Sequence, residues 1–89
     1  MSNTSIISFI ARSKRRLEIL KLLAEKEKSQ PEIMKITEMY KSHTSRTINE
    51  LLEKRLIICI NPEDRVFKFY KITTQGKKVF EEIKEILEN

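Results

Sequence analysis

Apolar residues recur every three or four positions in several stretches of this 89-residue chain, a period that predicts amphipathic helices. The first of these helices follows Ser13, whose hydroxyl suits an N-cap. Its core stripe consists of Leu17, Leu20, Leu23 and Ala24. The preceding segment, 5–11, is apolar and leans towards β-structure, which leaves a short strand and a helical lead-in both open.

The second predicted helix opens on a capping box, because Ser29 and Glu32 stand three residues apart. Ile33 and Ile36 are expected to face inward, and the helix is expected to end near Thr37. A tight turn follows and leads into a third helix.

The third predicted helix covers about 42–54, with Ser42 as its N-cap, and its two faces differ. The buried side consists of Thr44, Ile48, Leu51 and Leu52, with Thr47 at its border. The opposite face carries short or planar hydrogen-bonding side chains, namely Ser42, His43, Ser45, Arg46 and Asn49. Proteins that read DNA place a helix with such a face in the major groove.

A β-hairpin is predicted after the third helix. Residues 56–60 are apolar and β-branched, 61–64 form a turn cluster, and 66–72 alternate imperfectly and form the returning strand. The turn between the strands is expected to contain about four residues. The apolar side chains of the second strand divide into a core-facing pair, Tyr70 and Ile72, and a partly buried pair, Phe67 and Phe69.

A final helix of about 74–87, capped by Thr73, closes the pattern. Its apolar stripe consists of Val79, Phe80, Ile83, Ile86 and Leu87. This stripe is wider than one small core needs. It therefore predicts a homodimer built mainly through the final helix and the N-terminal segment.

Charge and composition narrow the partners. The net charge of +5 and the pI of about 9.5 suit an acidic partner such as nucleic acid. A chain of 89 residues is expected to form one domain, 1–89, with little room for a deep active-site cleft. No apolar run approaches the ~20 residues of a membrane helix, so we expect a cytoplasmic protein without a membrane partner.

The residues that enzymes and metal sites need are scarce. Cys59 is the only cysteine, which excludes a disulfide within the chain and a multi-thiolate metal site. A single histidine and a single glycine exclude a histidine-rich metal centre and a glycine-rich nucleotide loop. The sequence therefore predicts neither an enzyme nor a cofactor.

Four segments, in order and spacing, resemble small winged helix-turn-helix regulators of the ArsR and MarR type, and the short archaeal members most closely. Ser13–Leu23 resembles their first helix, Ser29–Ile36 their second, and His43–Ile57 their recognition helix and first wing strand. Tyr70–Gly76, YKITTQG, resembles the Y-x-L-T-x-x-G stretch that closes the wing. The resemblance covers about 9–87. It implies a mainly α fold with a small β-hairpin: a three-helix core, a two-stranded wing and a C-terminal helix.

The same resemblance implies a sequence-specific, homodimeric transcription regulator that binds double-stranded DNA. The recognition helix, about 42–54, would enter the major groove, and the wing, about 61–65, would lie near the backbone or minor groove. The terminal helices would form the dimer interface. Because the recognition region has no cysteine, metal sensing of the ArsR kind is not expected, and the chain is too short to show the MarR ligand pocket.

Each residue on the polar face of the recognition helix suits a particular DNA contact. Arg46 can hold guanine O6 and N7 or clamp a phosphate, and Asn49 can take an adenine edge. Ser42 and Ser45 suit phosphates near a helix N-terminus. His43 shares the face of Arg46, three residues away.

The wing offers basic candidates as well. Arg65 at the tip and Lys68 on the returning strand are the predicted contacts, with Lys71 further along. Glu63 and Asp64 stand beside Arg65 and are expected to repel phosphates.

Three questions stay open from the sequence. Lys14, Arg15 and Arg16 begin the first helix against its dipole, which suits either a bound phosphate or simple solubility. A nucleoid-type protein that coats DNA with low specificity would use the same charge. A winged-helix module that binds protein would leave His43 and Arg46 idle and use the aromatic strand instead.

Overall fold

The computed structural model describes residues 4–88 and is mainly helical with one small antiparallel sheet. In chain order the elements are α1 (Thr4–Ala11), α2 (Lys14–Glu25), β1 (Lys28–Ser29), α3 (Gln30–Thr37), α4 (Lys41–Glu53), β2 (Ile57–Cys59), β3 (Phe69–Ile72) and α5 (Thr74–Glu88). The predicted fold class is confirmed, because the three helices α2, α3 and α4, the wing and the final helix follow one another as in a winged helix-turn-helix, with α1 added before them.

The N-terminal apolar segment forms a helix, α1, and not a strand. Ile10 is fully buried and anchors α1 to the core. Ser13 ends the break between α1 and α2 as the predicted N-cap, and its hydroxyl accepts a hydrogen bond from the backbone N–H of Arg16 at 3.3 Å.

The capping box at the start of α3 is present in full. The Ser29 hydroxyl accepts from the N–H of Glu32 at 3.3 Å, and the Glu32 carboxylate accepts from the N–H of Ser29 at 3.0 Å. The expectation that Ile36 faces inward is wrong, since this side chain is 52% exposed. The inner stripe runs instead through Ile33 and Thr37, four residues apart, which turns Ile36 towards solvent.

The prediction that Ser42 caps α4 is also wrong, because the N-cap is Tyr40 and Ser42 lies exposed in the first turn. The carbonyl of Tyr40 accepts both the backbone N–H and the hydroxyl of Thr44 at 3.0 Å, which starts the helix before Ser42. As predicted, Thr44, Ile48 and Leu51 are buried, and Thr47 joins them.

The two-stranded wing is present as predicted, and a third strand that the sequence did not predict, β1, joins it in one sheet. β3 pairs with β2 on one edge, Ile57 opposite Ile72, and with β1 on the other, Lys28 opposite Tyr70. A two-residue strand is too short for any hydrophobic alternation to reveal, and β1 is formed by the approach of β3. Tyr70 and Ile72 are buried as predicted.

The loop between β2 and β3 is longer than the predicted four residues, since it spans 60–68. Its backbone groups are bonded largely by the side chains of Asn61 and Asp64 and not by a ladder between strands. The returning strand consequently begins at Phe69 and not at Val66.

The start of α5 packs directly on the start of the wing. The Thr73 hydroxyl accepts from the N–H of Gly76 at 3.0 Å, as the predicted cap should, and its hydrogen is shared between the carbonyls of Arg55 at 2.8 Å and Leu56 at 3.1 Å. Gly76 is buried at this junction. Behind it, Val79 and Ile83 lie in the core of the chain itself.

Candidate nucleic-acid interface

The exposed face of α4 is a polar stripe. Ser42, Arg46 and Asn49 are all exposed, and their spacing of four and three residues places them along one side of the helix. His43 and Ser45 flank this stripe and are half-buried. The His43 ring makes an edge contact with Tyr40, with ring centroids 6.1 Å apart. The structure therefore brings all five predicted residues to one side of α4.

An ion pair between α2 and α4 affects whether Arg46, the charged residue of the stripe, can bind an external partner. Arg16 of α2 donates to both carboxylate oxygens of Glu50, from Nε at 3.2 Å and from Nη2 at 2.7 Å. These hydrogen bonds are the main reason why the pKa of Glu50 is lowered, with smaller contributions from the charges of Arg16 and Arg46. Glu50 would otherwise be the natural partner of Arg46, one turn away. Arg46 makes no hydrogen bond or ion pair with any residue in 4–88.

Besides Glu50, Arg16 contacts Phe9 of α1. Its Nη1 donates to the carbonyl of Phe9 at 2.8 Å, and its guanidinium stacks on the Phe9 ring at 3.8 Å. The open question about the basic residues of α2 is thereby answered for Arg16, which joins α1, α2 and α4. Lys14 and Arg15 remain exposed.

Gln30, which sequence reasoning missed, connects the wing to α4. Its backbone N–H donates to the carbonyl of Lys68 at 3.2 Å, and its side-chain amide donates to the Ser45 hydroxyl at 2.8 Å. No local signal marks Gln30, because both partners are distant in the sequence. The contact fixes the distance between wing and α4.

A groove of about 420 Å³ lies between α3, the start of α4 and the wing. Its lining residues are Gln30, Pro31, Met34, Lys41, Arg65, Val66 and Lys68. The three cations in this set include both predicted wing residues and Lys41, which the sequence assigned to no site. Its place directly before the polar face of α4 was the signal that could have found it. No acidic residue lines the groove within the part of the chain that the structure describes.

The acidic residues at the wing tip have different roles. One carboxylate oxygen of Asp64 accepts the backbone N–H groups of Val66 and Phe67, each at 2.8 Å. These two hydrogen bonds, that from Phe67 first, lower the pKa of Asp64. Asp64 therefore stabilises the loop, whereas no hydrogen bond or ion pair of Glu63 is seen within residues 4–88; both side chains are exposed. Lys71 lies exposed on β3 opposite Ile58.

The apolar stripe of α5 divides between two environments. Val79 and Ile83 are buried in the core of the chain, and Ile83 also lies at the base of a shallow groove between α2 and α5. Phe80 is half-buried, and Ile86 and Leu87 are 60% and 66% exposed. The predicted dimer interface is thereby narrowed to these three residues.

Other kinds of site are not visible in residues 4–88. No group of three or more potential metal ligands clusters there. Cys59 is half-buried in β2, with its thiol 3.8 Å from Asn61 Oδ1. Within the same residues, no helix combines the length and apolar character needed to cross a bilayer.

Comparison with solved structures identifies the same fold. The transcriptional regulator BldR from Sulfolobus solfataricus is 27% identical, with a TM-score of 0.76 over 86% of this chain and 56% of that one. The homodimeric winged helix-turn-helix DNA-binding domain (fragment 1–100) of Mb0332 from Mycobacterium bovis, a possible ArsR-family regulator, is 21% identical, with a TM-score of 0.78 over 97% and 79%. HlyU from Vibrio cholerae is 23% identical, with a TM-score of 0.73 over 97% of both chains.

These similarities confirm the resemblance to winged helix-turn-helix regulators that the sequence predicted. The chain spans about half the length of some of the structures it matches, 49% of ZitR from Lactococcus lactis and 56% of BldR. No curated protein matches it. The family model described as the HVO_A0261 N-terminal domain matches residues 4–89, nearly the whole chain, and the chain belongs to that family.

Proposed function

We propose that this chain is a transcription regulator that binds double-stranded DNA sequence-specifically, with α4 in the major groove. The observation that carries the proposal is the exposed, unoccupied guanidinium of Arg46. Arg16 donates to both carboxylate oxygens of Glu50, and Arg46 makes no hydrogen bond or ion pair with a described residue, although its charge acts on Glu50. A guanidinium whose N–H groups have no acceptor within the protein is suited to an external acceptor.

The rest of the stripe supports the same ligand. Asn49 lies next along the helix from Arg46 and suits an adenine edge, and Ser42 at the exposed start of α4 suits a phosphate. Ser45 already accepts from Gln30, so its own hydroxyl hydrogen remains available to a phosphate oxygen. His43 lies beside Arg46 at the edge of the stripe.

The groove between α3, the start of α4 and the wing, called the basic groove below, supplies contacts that position the chain on the duplex. Lys41, Arg65 and Lys68 face the space between α4 and the wing. In our proposal they bind the phosphates that border the groove occupied by α4. Contacts of this kind fix register and carry no base information.

Binding is expected to depend strongly on salt. A dimer that touches about six to ten phosphates should give a log–log slope of association constant against salt of about −5 to −9. Replacing Arg65 with alanine removes one phosphate contact from each copy in the dimer, so it should make that slope shallower by about two units and weaken all sequences alike. Fluorescence anisotropy on labelled duplexes, at several salt concentrations, measures both quantities.

Lys78→Ala is the matched control, because Lys78 is an exposed cation on α5, outside the basic groove. It should leave the slope unchanged. A slope near zero for the parent chain would remove nucleic acid as the main partner.

Sequence specificity needs its own test. Fragments of genomic DNA selected by the chain should share a motif and bind more tightly than bulk DNA at the same salt concentration. Equal affinity for selected and bulk DNA would point to a nucleoid-type protein. Failure to bind either would favour a module that binds protein.

We further propose that the regulator is a homodimer formed through α2 and the exposed part of α5. A shallow apolar groove of about 270 Å³ between α2 and α5 includes Leu17, Phe80 and Leu87, with lysines and a glutamate at its rim. The similar Mb0332 domain is described as homodimeric. An apolar surface with charges of both signs around it suits a second copy of the same chain.

Introducing a charge into this surface should break the dimer. Leu87→Glu and Phe80→Glu are each expected to shift the chain from dimer to monomer, because a carboxylate would be buried without a partner. Sedimentation equilibrium at tens of micromolar measures the change, with Glu81→Gln, at an exposed position on α5, as the control. A parent chain that is already monomeric, or variants that remain dimeric, would contradict this interface.

A further inference from the structure

We propose that the tip of the wing is an apolar wedge that enters the minor groove and partly unstacks a base-pair step. The inference rests on the proposed DNA binding and adds a second mode of contact to it. The tip reads Arg65-Val66-Phe67-Lys68, two apolar side chains between two cations. Val66 is 74% exposed and Phe67 is 56% exposed.

Exposure of both side chains is imposed by the loop and does not reflect a loose segment. Asp64 Oδ1 accepts the N–H groups of Val66 and Phe67 at 2.8 Å. Asn61 donates to the carbonyl of Phe67 at 2.6 Å and accepts the N–H of Phe69 at 2.7 Å. Both N–H groups of the apolar pair and the carbonyl of Phe67 are thus bonded within the protein, and the loop presents the two apolar side chains between the exposed cations Arg65 and Lys68.

The surroundings of the tip indicate which partner it meets. Val66 lines the basic groove together with Lys41, Arg65 and Lys68, beside the polar stripe of α4. The matching partner is acidic where it faces the cations and apolar where it faces Val66 and Phe67. Duplex DNA has this pattern, since phosphates flank each step and the stacked bases lie between them.

A minor-groove wedge also fits the chemistry of the side chains. Proteins that insert Phe, Leu, Ile or Met into a step unstack it partly and bend the duplex, and they offset the loss of stacking with further contacts. T-A steps belong to the pyrimidine–purine steps, which are flexible and easily unstacked. Arg65 and Lys68, on either side of the wedge, can each neutralise a phosphate bordering the opened step.

The test uses a duplex of about 30 base pairs with alternating T and A, so that the wing meets a flexible T-A step in any register. 2-Aminopurine replaces central adenines and brightens when unstacked, and a dye at one end reports binding by anisotropy. The parent chain should raise the 2-aminopurine signal at saturation by about twofold or more. Phe67→Ala should keep the affinity within about threefold and lose most of that rise, because unstacking and contact largely offset each other.

Two further variants separate the wedge from general surface effects. Phe67→Leu keeps an apolar wedge and should retain the fluorescence rise. Ile58→Thr changes an exposed apolar residue on the same wing, away from the tip, and should behave like the parent. Circular dichroism confirms that each variant is folded.

The outcomes distinguish the two proposals. Binding without a fluorescence rise for the parent, or an equal rise for Phe67→Ala, would overturn the wedge and leave the tip to a protein partner, with DNA binding intact. No change in anisotropy with any duplex would overturn the proposed function and the wedge with it.

Discussion

Replacing Gly76 with alanine is expected to destabilise the chain by about 3 kcal/mol, through overpacking at a site that cannot relax. A Cβ at this position would collide with the carbonyl oxygen of Leu56 and lie 2.7 Å from Cγ1 of Ile72. The Leu56 carbonyl cannot move away easily, because it accepts hydrogen bonds from the backbone N–H of Thr73 at 3.0 Å and from the Thr73 hydroxyl at 3.1 Å. The clash is therefore with fixed backbone and not with a flexible side chain.

Thermal unfolding followed by circular dichroism measures this effect. A loss of about 3 kcal/mol corresponds to a fall in Tm of more than about 10 °C for a domain of this size. Gln75→Ala, at the exposed neighbouring position in the same turn, should change the free energy of unfolding by no more than about 0.5 kcal/mol. A Gly76→Ala chain as stable as the parent would show that α5 can shift away from the wing without loss.

Arg46→Ala is expected to weaken binding to the selected DNA site by about 1–3 kcal/mol and to relax the preference for one base pair. The side chain is exposed on the stripe of α4, and Glu50 is occupied by Arg16. Arg46→Lys keeps the charge and loses the two-pronged contact with guanine, so it should also relax the preference. Both variants should fold like the parent, because Arg46 lies outside the core.

The measurement is a comparison of affinities across duplexes altered at each position of the selected site. A uniform loss of affinity with base preference intact would make Arg46 a phosphate clamp. Unchanged binding by Arg46→Ala would contradict the assignment of α4 as the recognition helix.

The sequence predicted those parts of the fold that depend on neighbours in the chain. Helical periodicity and the hydroxyl caps at Ser13 and Ser29 located α2 and α3, because caps act within one turn. The prediction of Ser42 as a cap was wrong because the hydroxyl of Thr44 donates to the carbonyl of Tyr40, which places the start of the helix before Ser42. The free energy gained from a capping side chain is small, and it does not move the start of a helix whose first turn already forms backbone and side-chain hydrogen bonds.

What the sequence could not predict depends on residues far apart. The Arg16–Glu50 pair joins positions 34 apart, and the Gln30–Ser45 hydrogen bond joins positions 15 apart. β1 exists only because β3 runs beside it. The polar face of α4 was predictable from the helical period of its own residues. That Glu50 bonds to Arg16 and not to Arg46 depends on α2, and the sequence of α4 carries no information about it.

The Arg16–Glu50 pair also has an evolutionary consequence. A relative with a short side chain at position 16 would leave Glu50 to the arginine one turn before it, and that arginine would then be drawn away from DNA. Positions 16, 46 and 50 should therefore change together across the family. In such a set of sequences, selection for DNA recognition would also act on position 16, which is half-buried on α2 and lies outside the polar stripe of α4.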